Sequence, residues 1–471
     1  MKNLWFPLLL ILGLGGCTWS GLDDLSKQTP VRVYEKNKGF TSPTYGASLI
    51  VLRRPAGDPR LPTIIVGGQY TTPLAALEIG SGGGVANTRI AHVGTNEIEP
   101  NQDRQGNTIQ SIVELSPVGD DARVLIAVPQ DDYVRWVRIP PADAAAPDLI
   151  SGGIFRPDPN IFGGVRGFGG ALAAGSFDAE TGPQEWAIAE DNYIYIAMNE
   201  TYDPSDFVRC QITGPGTSDF TSVTRALATG RFAATETSDT FVAGIPDSRP
   251  PYGSVRFVRW SGVPECNASL LPPTDPSRHE EYFGTALAVA RLRGPSADMD
   301  LIVGSPNKND VPQTSSRVYV YVNNGTPMES TTPSYIIEGT TLTFGTTVAA
   351  MDLNGDGKAE LLVGDPAADF EGNTGRAFIF EIDWTYNGTP TTLSEEDGVL
   401  IGDTAGPTKM FGADLKEKSH GFSLSFAGLA WEPGAERREL IVGSAGLIFG
   451  FYVTGVREDN DRADPFHDPR D

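Results

Sequence analysis

The sequence predicts an all-β protein, a seven-bladed β-propeller, and three observations predict it. First, a pattern of aromatic-Gly-small-small-apolar, followed by an apolar run that ends in Gly, returns from residues 45, 108, 168, 223, 283, 344 and 420. Its interval of roughly 60 residues suits a unit of three or four strands. Second, the apolar and alternating runs within each unit have the length of strands rather than helices. Third, Gly (54) and Pro (36) supply turns throughout the 471 residues. They fall short of a low-complexity composition. One such unit cannot bury both faces of its sheet, whereas a closed ring lets each blade cover the next. An open solenoid would need distinct capping units, and the sequence shows none.

Unit one runs from Tyr45-Gly46-Ala47-Ser48-Leu49 to Ile64-Ile65-Val66-Gly67-Gly68. Unit two is degenerate, with Thr108-Ile109-Gln110-Ser111-Ile112 in place of the start and Leu125-Ile126-Ala127-Val128-Pro129 at the end. Units three and four start at Phe168-Gly169-Gly170 and Val223-Thr224-Arg225. Unit five runs from Phe283-Gly284-Thr285 to Leu301-Ile302-Val303-Gly304-Ser305-Pro306, and unit six starts at Phe344-Gly345-Thr346. Unit seven starts at His420-Gly421-Phe422, with Phe411-Gly412-Ala413 as an alternative start. Small residues such as Ala171, Ala173, Ala286, Ala288, Thr346 and Ala349 suit inner strands crowded around an axis. Closure of such a ring usually mixes strands from both termini, and Val31-Arg32-Val33-Tyr34 is the strand available to complete the last blade.

Unit six holds the chemistry. In Asp352-Leu353-Asn354-Gly355-Asp356-Gly357-Lys358-Ala359-Glu360, oxygen-bearing side chains alternate and two glycines permit a tight turn. Asp352, Asn354, Asp356, Glu360 and the carbonyl of Lys358 offer a hard oxygen set of the kind Ca2+ takes. An EF-hand would need a bidentate Glu at the twelfth position, which here is Val363 inside an apolar run. Asn, Asp and Gly are also ordinary turn residues, so a plain acidic turn is the competing reading. The order of strand, acidic loop, Leu361-Leu362-Val363-Gly364-Asp365-Pro366 and a third strand resembles the FG-GAP repeat of integrin α-subunit propellers. That resemblance implies one calcium ion on the five residues named. The family more often has Asp where this chain has Glu360. Asp298-Met299-Asp300 and Asp120-Asp121 fall at matching places in units five and two. They lack the glycine spacing and are expected to hold no ion.

Residues 1–16 read as a secretory signal, one Lys before a short apolar core, too short to span a bilayer. Leu14-Gly15-Gly16-Cys17 resembles the bacterial lipobox, which implies cleavage before Cys17 and acylation of it. Thr18 in the next position favours the outer membrane, with residues 17–30 as a lipidated tether, residues 31–456 as the propeller and 457–471 as a disordered acidic tail. Cys210 and Cys266 remain for the body, 56 positions apart and close to one repeat. A disulfide between equivalent outer positions of adjacent units and two buried thiols are both open readings.

The net charge of −24 excludes a basic nucleic-acid footprint. His92, His279, His420 and His467 show no zinc spacing, and no Gly-x-Ser-x-Gly elbow occurs. Gly80-Ser81-Gly82-Gly83-Gly84 lacks the Lys-Ser/Thr of a phosphate loop. Tyr133, Trp136, Arg256, Arg259 and Trp260 read either as a binding surface or, more simply, as packing between blades. The expectation is a monomeric, membrane-anchored, calcium-stabilised propeller that binds a protein or glycan without catalysis. The rivals are a propeller hydrolase or lyase acting on polysaccharide, and a structural envelope component.

Overall fold

The structure is a computed structural model. It describes residues 32–454, apart from 36–45, 53–61, 69–72, 80–84, 93–108, 119, 130–131, 142–148, 157–166, 178–184, 199–206, 213–223, 225, 233–235, 247–252, 262, 272–281, 308–315, 324–331, 367–374, 383, 385–388, 401–419, 431–436 and 446. The signal, lipobox, tether, Gly80–Gly84 run and acidic tail lie outside the described residues. Among the described residues no helix is long and apolar enough to cross a membrane.

Seven sheets, antiparallel apart from one added strand in blade five, stand in a ring. Their first strands are Ser48–Val51, Ser111–Val118, Leu172–Gly175, Ala226–Gly230, Ala286–Ala290, Thr347–Met351 and His420–Ala430. Each lies against the first strands of both neighbouring blades, all the way round. The strand Arg32–Glu35 pairs with Leu447–Thr454 and becomes the outer strand of blade seven. The two ends of the ring are thus joined by backbone hydrogen bonds within one sheet, and the closure strand comes from the segment that the sequence offers.

The core is seven apolar layers, one at each seam between blades. The second strand of each blade supplies both of its seams. In blade six Leu361 and Val363 face blade five, while Leu362 faces blade seven. Both faces of the sheet are covered, so every residue of Glu360–Asp365 is buried and the run shows no polar alternation. The aromatic residues of these third strands serve the seams. Tyr133 is buried between blades one and two, Trp136 packs between blades two and three, and Trp260 packs edge-on to Phe177. These three aromatics are interblade packing.

The glycines of the repeat mark closest approach. The N–H of Gly345 donates to the Gly364 carbonyl within blade six at 2.9 Å. The Gly345 carbonyl touches Gly304 at the end of the second strand of blade five. Gly345 has φ +80°, which favours glycine. The same contact joins Gly284 to Gly244 and, across the ring closure, Gly46 to Gly443. Degenerate unit two breaks the pattern, since Ile109 packs against Gly67 of blade one.

Two cross-links were less legible. Cys210 and Cys266 form a disulfide with Cα atoms 5.1 Å apart, joining the outer strands Phe207–Gln211 and Pro264–Leu271 of blades three and four. Closing a loop of that length restricts the unfolded chain by about 4 kcal/mol on a chain-entropy account. Blade five also has a fifth strand. Residues Thr391–Ser394 leave blade six, pair in parallel with Tyr335–Glu338, and the chain then returns as Val399–Leu400 at the outer edge of blade six. Arg376 of blade six holds this exchange. It pairs with the buried Asp365 at 2.9 Å and with Glu395, just past the exchanged strand, at 3.2 Å. Glu395 in turn accepts hydrogen bonds from Thr340.

Candidate metal centre

The acidic stretch forms the hairpin between the first two strands of blade six. Interlocked side-chain turns made by Asp352, Asn354 and Asp356 shape it. Asp352 Oδ1 accepts the Gly355 N–H at 2.6 Å, and Asp352 Oδ2 accepts that of Gly357 at 3.1 Å. Asn354 Oδ1 accepts the Asp356 N–H at 2.9 Å, and Asp356 Oδ1 accepts the Lys358 N–H at 2.8 Å. Gly355 (φ +84°) and Gly357 (φ +87°) take left-handed conformations that other residues resist. The spacing that suggested ligands therefore builds a loop folded around its own carboxyl groups. The hairpin rests on blade five: the Ala359 N–H donates to the Arg291 carbonyl at 3.1 Å, and Gly357 lies over Pro295.

Glu360 differs from the other four. It begins the second strand, is buried, and its Oε2 accepts the Leu353 N–H at 2.6 Å. Burial pushes its carboxyl up to about 7; the Leu353 N–H opposes this, and the charges of Asp352, Asp356 and Glu381 add to it. The same latch recurs. Glu185 accepts the Phe177 N–H in blade three, Glu236 the Phe232 N–H in blade four and Asp300 the Leu292 N–H in blade five. In each case a carboxylate, at the first residue of the second strand or, for Glu236, within the hairpin ahead of it, caps a buried apolar residue just past the first strand, tying the hairpin shut. The sequence carried this signal: an acid directly before an apolar run, as in Glu185-Trp186, Asp300-Leu301 and Glu360-Leu361. Glu360 is thus a hairpin latch first, and any bond it makes to a cation is added to that role.

Blade five shows what a latch carboxylate can carry. Its hairpin reads Arg291-Leu292-Arg293-Gly294 where blade six reads Asp352-Leu353-Asn354-Gly355, and Gly294 is also left-handed, with φ +110°. Arg293 reaches Asp300 at 3.0 Å and bonds the Asn323 carbonyl, while the Asn323 N–H donates to Asp300 at 2.8 Å. Burial raises the carboxyl of Asp300, and its bonds to Asn323, Arg293 and Leu292 draw it back down. Blade five carries a built-in cation at its latch. Blade six has Asn354 at the corresponding position and acidic residues around it. Asp298-Met299-Asp300 thus belongs to an arginine-neutralised hairpin. Asp121 pairs with Arg138 in blade two.

Among the described residues no three His, Cys, Asp or Glu side chains stand together as a ready metal cage. The five-donor set reads differently, because it includes an amide oxygen and a carbonyl. Its chemistry is all oxygen and its charge is negative, which fits a hard divalent cation.

Ring and hairpin together define the class: this is a seven-bladed β-propeller, similar to those of integrin α subunits, with an FG-GAP repeat in blade six. Residues 344–380, covering the inner strand, acidic hairpin and next two strands of blade six, match the FG-GAP repeat family. The chain is similar to integrin α-5 of Xenopus laevis, 29% identical over 184 residues, which are 37% of this chain and 16% of that protein. It is similar to human integrin α-7, 31% identical over 210 residues, 43% of this chain and 15% of that protein. Similarity to the rat integrin α-7 extends over 302 residues at 29% identity, 62% of this chain and 23% of that protein. The chain spans less than a quarter of the length of these relatives.

Proposed function

We propose that the protein is an envelope-anchored, calcium-stabilised propeller that binds a protein or glycan ligand without catalysis. The observation that carries the calcium part is the contrast between adjacent hairpins. One latch carboxylate is neutralised by Arg293, while the other is surrounded by Asp352, Asp356 and Glu381 with no guanidinium at the corresponding position. Asp352, Asn354, Asp356, the Lys358 carbonyl and Glu360 would hold the ion, which when bound supplies the positive charge that Arg293 supplies next door. Because the hairpin rests on Arg291 and Pro295, the ion would also stiffen the seam between blades five and six. The ligand-binding part is supported by the similarity to integrin α subunits and by the ring itself, a rigid frame from which loops project. Cys17 would provide the anchor, since several acyl chains hold a protein at a membrane where one does not.

The test uses the purified protein as bait on native envelope and culture medium, with calcium, with chelator, and as Asp356→Ala. An ion bound only by the folded state raises stability by about 2.7 kcal/mol at one hundred times its Kd. The expected result is a higher melting temperature in calcium and a partner recovered there alone, both lost in Asp356→Ala. Melting that ignores calcium would remove the metal reading, and a bait that recovers nothing in calcium would remove the binding reading. In the producing cells, Cys17→Ser is expected to move the protein from the detergent phase to the aqueous phase. Unchanged partitioning would refute the anchor.

A further inference from the structure

The third strand of blade six, Arg376–Phe380, ends beside the acidic hairpin, and the next residue is Glu381. Glu381 lies outside the loop motif and is exposed. Its Oε1 accepts a hydrogen bond from Asn354 Nδ2 at 3.3 Å, while Asn354 Oδ1 accepts the Asp356 N–H at 2.9 Å. The amide is therefore held at both ends, with its nitrogen turned to Glu381 and its oxygen turned into the loop. Only the oxygen can ligate a cation, so whatever fixes the amide fixes a ligand. Outer partners of this kind orient ligands at metal sites generally.

Blade five offers a parallel one register position further along the chain. There Asn323, just past the third strand Arg317–Tyr321, closes on the hairpin through its N–H to Asp300 and its carbonyl to Arg293. In both blades the chain leaving the third strand reaches back to the cation position of the first hairpin.

We infer that Glu381 is a positioning residue for the cation of blade six. It holds the Asn354 amide oxygen towards the ion and ties the loaded hairpin to the third strand. The inference rests on the calcium reading above.

Calorimetric titration of the full chain with calcium tests it, on wild type, Asp356→Ala, Glu381→Ala and Glu381→Gln, with melting in chelator recorded for each. Glu381→Ala is expected to weaken calcium about tenfold or more, and Glu381→Gln, which keeps an oxygen acceptor, to stay within about threefold of wild type. Melting in chelator is expected to be no lower than wild type for both Glu381 variants, because the residue is exposed and its charge adds to the repulsion at Glu360. Wild-type affinity in Glu381→Ala overturns the inference. Equal weakening by Ala and Gln also overturns it, because Glu381 would then act as a charge alone. If Asp356→Ala abolishes binding while Glu381→Ala does not, this inference falls and the calcium reading stands. A wild type that gives no heat ends both.

Discussion

Gly304→Ala is expected to cost about 3 kcal/mol or more. The added Cβ would run into the carbonyl oxygen of Gly345 in the next blade. That carbonyl cannot retreat easily, because Gly345 sits at φ +80° and its own N–H is bonded to Gly364. Gly304 itself belongs to a fully buried strand, Asp300–Ser305, packed on both faces. Overlap with backbone is not relieved by a rotamer change, so the seam between blades five and six must open. Gly153→Ala, on an outer strand of blade two, serves as the control. Its Cβ would meet only Trp136 Nε1 at 3.5 Å, and the change should cost about 1 kcal/mol or less. Denaturant midpoints for the two variants decide the matter. Equal midpoints would show that the glycine seam does not hold the ring.

Asn354→Arg is expected to make the protein indifferent to calcium without weakening it. The substitution writes the hairpin of blade five into blade six, placing a guanidinium where Arg293 meets Asp300. Glu360 is buried like Asp300 and would gain the same partner. Its melting temperature should be equal in calcium and chelator, and no lower than that of wild type in chelator. Asp356→Ala, by contrast, should lose the calcium response without that gain. The reciprocal change, Arg293→Asn, leaves Asp300 without its ion-pair partner and is expected to cost about 3 kcal/mol. A calcium-dependent rise that persists in Asn354→Arg, or melting well below the chelated wild type, would show that the two hairpins are not equivalent.

How much of this was readable in advance follows from where each interaction lies along the chain. The acidic hairpin is local. Its glycines, side-chain turns and spacing fall within nine consecutive residues, 352–360, so the loop could be read directly. The latch was half legible. Glu360 stood out as a ligand by position, yet its bond to Leu353 becomes visible only beside Glu185 and Asp300, which share the job without sharing the calcium motif. Glu381 was invisible, because the strand Arg376–Phe380 must fold back before the residue after it meets Asn354.

The repeats by themselves determined the fold class and the number of blades. Each unit carries its own strand lengths, glycines and apolar runs, and incomplete burial of a lone unit leaves a closed ring as the economical arrangement. Even the closure strand at Arg32–Glu35 followed from that logic. Tertiary structure alone decided the departures from the repeat. Thr391–Ser394 joins blade five rather than blade six, because Arg376, Asp365, Glu395 and Thr340 meet at that edge. The disulfide required outer strands to align across a seam, which spacing permits and does not impose. The aromatic residues Tyr133, Trp136 and Trp260 of the third strands turned inward for a related reason: a period-two strand has two faces, and only the neighbouring blade decides whether the second is buried. Local pattern sets what each blade is made of, and contacts between blades, distant in sequence, set which side chains are left to meet an ion or a partner.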